Sequence, residues 1–230
     1  MSGAFGNAVP LTDDTRYAPL PPHEDVARVR AALQGLKTGG AGLLRAYCPA
    51  PTAAFSPRDT THGRFRDVAR RMETLGFAAV ERGAGGTFAA YDTAALVIDL
   101  VAAHGQPHGQ MLERFSRFAG AIADALCKLG IDARVGEVPD EYCPGKYSVN
   151  AGGRLKLAGI AQRITRHGYH LGAVLAVSHS PPALTAVAEA YEMMSLPFAP
   201  STFSNVLALR QNVRASDVTE AIISEVLRLW

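Results

Sequence analysis

What this chain of 230 residues has little of already narrows what it can do. Cysteine occurs three times, at Cys48, Cys127 and Cys143, an odd number at wide spacing. Such a set builds neither a disulfide framework nor a zinc cluster, so any special cysteine acts as a thiol. Long apolar runs are missing too: windows such as residues 94–103 and 172–177 are too short to cross a bilayer. The opening MSGAFGNAVPLTDD lacks the basic flank and apolar run of a signal peptide, so a cytoplasmic protein with no membrane partner is expected. Net charge is +2 without a basic run, which gives no reason to expect nucleic acid, although an acidic protein surface remains open as a partner. There is no GxSxG and no HExxH, which removes several large enzyme classes. His167 and His170 have no cysteine or carboxylate at ligand spacing beside them, so no metal is expected and both read as polar lining or surface.

What remains is ordinary globular composition, 48% hydrophobic and 19% charged, with no fixed-period repeat. Residues 1–22, rich in glycine, proline and polar residues, read as a flexible arm, and residues 23–230 as a single domain. Residues 23–36 carry Val26, Val29, Leu33 and Leu36 at helical spacing, with Glu24 and Asp25 placed to suit the helix dipole. Residues 43–48 read as a strand and PAPTAAFSPRD as the loop after it. A helix over 63–75 stops at Gly76, residues 77–80 form a strand, and two apolar runs broken at Tyr91, Asp92 and Thr93 follow. Residues 110–129 place Met111, Phe115, Phe118, Ile122 and Leu126 on one face of a helix ended by Gly130. Strands are expected over 131–136 and 173–178, and a helix over 183–194. A last helix is opened by Ser216 as its cap. Strands and helices without regular alternation predict an α+β fold, a mainly antiparallel sheet covered by helices.

Chemistry concentrates in residues 141–172, EYCPGKYSVNAGGRLKLAGIAQRITRHGYHLG. Cys143 precedes a Pro144-Gly145 turn that would present the thiol at a strand edge, whereas the plain alternative is a small buried apolar side chain. The cations Lys146, Arg154 and Lys156 would draw such a thiol toward thiolate. Lys156 lies inside the apolar RLKLAGIA, either buried or on the solvent face of an amphipathic strand. The RGAGG loop, Arg82 to Gly86, is neither a Walker sequence nor GxGxxG. It is a ligand-lining loop or a tight turn.

Taken in order, ERGAGGTFAAYD, a long helix, GRLKLAGIAQR and GYHLGAVLAV resemble the lipoate-protein ligase and octanoyltransferase family, whose catalytic domain is shared with biotin protein ligases. With CPG about a dozen residues before the lysine, the chain looks most like the cysteine-dependent branch that moves octanoyl or lipoyl groups between carrier proteins. The resemblance implies a biotin/lipoate ligase-like catalytic domain over 23–230, with Cys143 as nucleophile and Lys156 as the lysine that holds the acyl carbonyl and moves protons. It further implies a substrate-binding set of Arg82, Gly85, Gly86, Tyr91, Asp92, Gly145, Gly159, Gln162 and His170, with residues 88–96 walling the acyl chain and amides near Gly145 or Gly85 steadying the oxyanion. No cofactor is implied for a transferase; the donor would be an acyl-carrier or glycine-cleavage-type carrier protein and the acceptor a lipoyl domain. An ATP- and magnesium-using ligase is the alternative, disfavoured by the end of the sequence at Trp230, which leaves no room for an accessory domain. A non-catalytic acyl or carrier binder is a third. The family's His-Asp is Tyr91-Asp92 here, its three glycines are Gly85-Gly86, and its HHG is His170-Leu171-Gly172.

Overall fold

The computed structural model of the protein describes residues 4–230. In chain order its elements are β1 (Leu11–Asp13), α1 (Pro22–Gly35), β2 (Leu43–Tyr47), β3 (Thr52–Phe55), α2 (Phe65–Thr74), β4 (Ala78–Glu81), β5 (Ala89–Tyr91) and β6 (Ala95–Ala103). Then come α3 (Met111–Lys128), β7 (Ala133–Val135), β8 (Val149–Ala151), β9 (Leu155–Thr165), β10 (Gly168–Ala176), α4 (Pro181–Met193), α5 (Val206–Leu209) and α6 (Ala215–Leu227). Seven strands form one sheet in the order β1-β2-β6-β10-β9-β8-β7, and a smaller sheet runs β4-β3-β5. Only β1–β2 and β3–β4 pair parallel, so the fold is the expected α+β with a mainly antiparallel sheet.

The sequence of β6, ALVIDLVAA, explains its place in the middle of the large sheet. Its first eight residues are all buried, as a strand covered on both faces requires. Alternation sends Leu96, Ile98 and Leu100 into the main core with Phe118, Ile122 and Leu126 of α3 and Val218 and Ile222 of α6. It sends Val97, Asp99 and Val101 to the opposite face, where Leu33 of α1 and Leu36 just after it pack on Val101. The small sheet has its own core, in which Phe55 and Phe88 meet Val68 and Met72 of α2 and Val187 and Ala190 of α4. Helix ends follow the glycine rule: α3 stops where Gly130 takes φ +83° and the Ile131 amide reaches back to the Leu126 carbonyl at 3.1 Å. No helix among the described residues is long and apolar enough to cross a membrane.

Three expectations about elements need correction. Of the stretch read as a flexible arm, residues 1–3 lie outside the described residues and the rest, largely exposed, is tied down at two places: Phe5 is buried under Trp230 with its carbonyl on the Tyr169 hydroxyl at 2.9 Å, and β1 pairs with β2. Glycine and proline exclude a helix there, but they do not stop one phenylalanine and one short strand from anchoring the chain. PAPTAAFSPRD holds β3, whose four residues are all buried. Flanking prolines and two alanines hide a strand that short. Ser216 does not cap the last helix. α6 begins one residue earlier, and Asp217 accepts the Arg214 amide at 3.1 Å.

Candidate active site

The face of the large sheet turned away from α3 carries a cavity of about 490 Å³ beneath α1. Strand register sets its floor in rows. Tyr47, Val97, Val174 and Gly159 stand side by side, and one pleat further along come Arg45, Asp99, Gly172 and Ala161. Small residues at Gly159, Ala161 and Gly172 leave the space that a normal strand would fill. Val26, Val29 and Leu33 of α1 roof it, Arg82 to Ala84 and Ala89 of the small-sheet region form one wall, and Tyr142 and Cys143 close the wall beside Gly159.

Cys143 has φ +44°, a left-handed backbone that non-glycine residues adopt only when their surroundings hold them there. Its amide donates to the Tyr191 hydroxyl at 2.5 Å, and the carbonyls of Tyr142 and Cys143 accept from Lys156 Nζ at 2.7 and 2.8 Å. Clamped on both sides, the residue turns its sulfur toward Arg82, whose Nη2 lies at 3.5 Å, and toward the Thr87 amide. Burial pushes this thiol up, but Arg82 first, then Lys156 and the Thr87 amide, bring it below its ordinary value. Lys146 and Arg154, the sequence neighbours expected to do this, are exposed. Arg82 does it from 61 residues away because the small sheet delivers it to the same wall. Gly86 makes the approach possible: at φ +97° an added Cβ would stand 2.8 Å from the sulfur and 2.9 Å from Arg82 Nη2.

Lys156 is 1% exposed, which excludes the solvent-face alternative. Glu141 Oε1 lies 3.2 Å from its amine and also accepts from Ser148 Oγ at 2.6 Å and the Gly145 amide at 3.1 Å. Burial, the largest influence, lowers the lysine's pKa despite the neighbouring thiol and Glu141. With its donors committed to Tyr142, Cys143 and Ser148, the amine sits behind the cysteine loop and does not line the cavity. Glu141 is fully buried, and its Oε2 has no partner among the described residues.

The other expected residues divide. Arg82, Tyr91, Gly159 and His170 line the cavity, and Gly86 abuts the thiol. Gly85 is exposed, with open space around it, and Gly83 and Ala84 take its place on the wall. Asp92 instead accepts from the Ala94 amide at 2.9 Å and the Ser180 hydroxyl at 2.5 Å, tying the turn before β6 to the cap of α4. Gly145 gives its amide to Glu141 at 3.1 Å, so that amide is not free for an oxyanion. Gln162 points to the opposite face of β9, where its side-chain oxygen accepts from Arg114 Nε at 2.9 Å; even spacing from Ile160 puts it there. Of residues 88–96 only Ala89 and Tyr91 line the cavity, and α1 provides the apolar cover instead.

Several cavity and support residues had little or no sequence signal. Tyr191 sits at an ordinary helical position, and its hydroxyl joins the Cys143 amide, the Thr87 side chain at 2.9 Å and the Phe88 carbonyl at 3.2 Å. Arg30 and Arg163 hold the carbonyls of Glu81 and Gly83, each at 2.9 Å, on either side of Arg82. Asp25 is buried and bonded to Arg45 at 2.5 Å, so it faces inward instead of serving only the helix dipole. Asp99 had a signal, a single charge in an otherwise apolar strand. Its carboxylate accepts from Tyr47 at 3.1 Å and pairs with His170 Nε2 at 2.7 Å. Among the described residues no group of three or more histidines, cysteines or acids is placed to hold a metal.

The family model for the lipoyl protein ligase A/B catalytic domain matches residues 62–227. No curated protein sequence matches the chain. Among solved structures, a lipoate-protein ligase A bound with ATP superposes with a TM-score of 0.72 at 19% identity, over 100% of this chain and 85% of that one. A Thermoplasma acidophilum protein described as a candidate lipoate protein ligase, with lipoic acid bound, gives the same four values. A bipartite lipoate protein ligase from Thermoplasma acidophilum, studied with its E2 lipoyl domain, gives 0.71 at 17% identity over 96% and 84%. Identities this low establish a common fold.

Proposed function

Because the chain belongs to the lipoyl protein ligase A/B catalytic-domain family, we propose that it is an acyltransferase working through a thioester on Cys143. The Cys143 thiolate attacks the carbonyl of an octanoyl- or lipoyl-type group held as a thioester on a carrier protein. The carrier thiolate leaves and takes up a proton. The neutral ε-amine of a lysine on an acceptor such as a lipoyl domain then attacks the enzyme thioester, forming the amide, returning the Cys143 thiolate and releasing a proton. No nucleotide or metal enters this sequence.

The observation that carries this reading is a thiol on the cavity wall whose pKa is lowered in spite of burial, with a guanidinium at 3.5 Å and a backbone clamped on both sides. A merely structural cysteine has no need of these features. Lys156 acts from behind: it fixes the two carbonyls that set the cysteine's conformation, and its charge favours the thiolate. The acyl chain would lie over Gly159 and Ala161 beneath α1. Incubation with an octanoyl-carrier protein should add one octanoyl mass to the peptide containing Cys143, and Cys143→Ala should lose both adduct and transfer. Full transfer by that variant refutes the mechanism.

An ATP-dependent ligase is the second reading. It is favoured by the exposed cations Arg30, Lys37 and Arg163 at the cavity mouth, which suit a phosphate chain, and by the ATP-bound relative of the same fold. AMP release from lipoate, ATP and magnesium would identify it, because the transferase forms none.

A further inference from the structure

The inner end of the cavity is not the apolar dead end that a plain fatty chain needs. Asp25, Tyr47, Asp99 and His170 are all at least nine-tenths buried, yet they line the same space as Cys143, together with Tyr91. Asp99 already accepts from Tyr47 and pairs with His170, and Asp25 has one oxygen on Arg45. Hydrogen-bonding capacity remains: among the described residues no protein hydrogen bond reaches the Tyr91 hydroxyl, the second Asp25 oxygen or His170 Nδ1, and the three residues line the cavity. Gly172 keeps this corner open, since an added Cβ would lie 3.1 Å from His170 Nε2 and 3.3 Å from Asp99 Oδ1. The Asp99 row is one pleat, about 7 Å, beyond the Gly159 row beside Cys143. A chain of about eight atoms held at Cys143 can therefore bring its tip to this corner. A terminal methyl group would desolvate carboxylates and a hydroxyl without replacing their hydrogen bonds, which is unfavourable.

We propose that this inner corner is a subsite for an N–H-bearing group at the far end of a medium-chain acyl substrate, an amine or a urea, held by Asp25, Asp99 and Tyr91. The inference rests on the acyl chain occupying the cavity as described above, and it changes which acyl group that is. Carboxylates cluster around Arg45: Asp14 lies 2.6 Å and Asp25 2.5 Å from its guanidinium, and Asp99 stands beside it in register and pairs with His170. A donor-bearing tip can bond the free acceptor capacity of Asp25 and Tyr91, and a plain alkyl tip cannot.

The test compares octanoate, 8-hydroxyoctanoate and 8-aminooctanoate by calorimetric titration of the full chain, alongside Tyr91→Phe and Asp25→Asn. The amino acid should bind at least about tenfold more tightly than octanoate, and either substitution should erase most of that preference. Tyr91→Phe removes one oxygen and keeps the ring, so its result stands even if Asp25→Asn unfolds. Equal or tighter binding of octanoate overturns the subsite, as does an amino preference that survives both substitutions. Thioester formation is read separately by mass on Cys143. Preference for the amino tip without any acyl adduct supports the subsite and removes the transfer mechanism; an octanoyl adduct without the preference does the reverse.

Discussion

Replacing Arg82 with glutamine removes the largest influence holding the Cys143 thiol down. The guanidinium nitrogen lies 3.5 Å from the sulfur. Two unit charges at about 4 Å in an effective dielectric of about 20 interact by about 4 kcal/mol, and the part retained by Lys156 and the Thr87 amide reduces the net loss. Even a residual of about 1.4 kcal/mol is a tenfold change in the thiolate fraction at neutral pH. Burial is then opposed only by Lys156 and the Thr87 amide, so the thiol titrates higher than in the wild type. Alkylation by iodoacetamide, followed on the Cys143 peptide from pH 5 to pH 10, reads this directly. The wild type should reach its plateau early, and Arg82→Gln should be at least about tenfold slower at pH 7. Because a more basic thiolate is intrinsically more nucleophilic, the variant's plateau at high pH should match or exceed the wild type's. Lys146→Gln, at an exposed position, serves as the control and should leave the profile in place. An unmoved midpoint in Arg82→Gln refutes the electrostatic account of the site.

Gly86→Ala should slow acylation of Cys143 at least about tenfold, because the new methyl meets both the sulfur and Arg82 and the backbone conformation there costs a side chain about 1–3 kcal/mol. Gly85→Ala, with nothing within 4 Å of its Cβ, should keep the wild-type rate; equal rates for both variants would remove the case for a close approach at Gly86. Lys156→Met strands Glu141 without its counter-ion and should lower denaturant stability by about 3–5 kcal/mol, with much of that recovered in the double variant Lys156→Met, Glu141→Gln. No recovery would mean that the pair is not coupled. The folded thiol titrates below its unfolded value, so ionised Cys143 contributes stability that is fully present above the unfolded thiol value of about 8.5 and lost as pH falls through the folded one. Wild type minus Cys143→Ala stability should therefore rise across that window on going alkaline and level off above it. A difference that is flat with pH would contradict the lowered thiol.

The sequence by itself determined the main helices, the central strand β6 and the family, but not the full extent of β9 and β10. Phe118, Ile122 and Leu126 repeat at helical spacing, the run from Leu96 to Val101 is the apolar signature of a central strand, and Gly76 and Gly130 mark helix ends that only local backbone chemistry decides. It also placed Cys143 and Lys156 within one stretch, because a turn and the strand after it are continuous in the chain. Tertiary structure alone decided which charges reach the thiol. Lys146 and Arg154 are near it in number and exposed in space, whereas Arg82 arrives on a separate sheet and Tyr191 on a helix. Face parity decided Gln162, which alternation on β9 turns toward α3. The inner polar corner needed four elements at once, Asp25 from α1, Tyr47 from β2, Asp99 from β6 and His170 from β10, and no spacing in a linear chain encodes a meeting fixed by strand order and register.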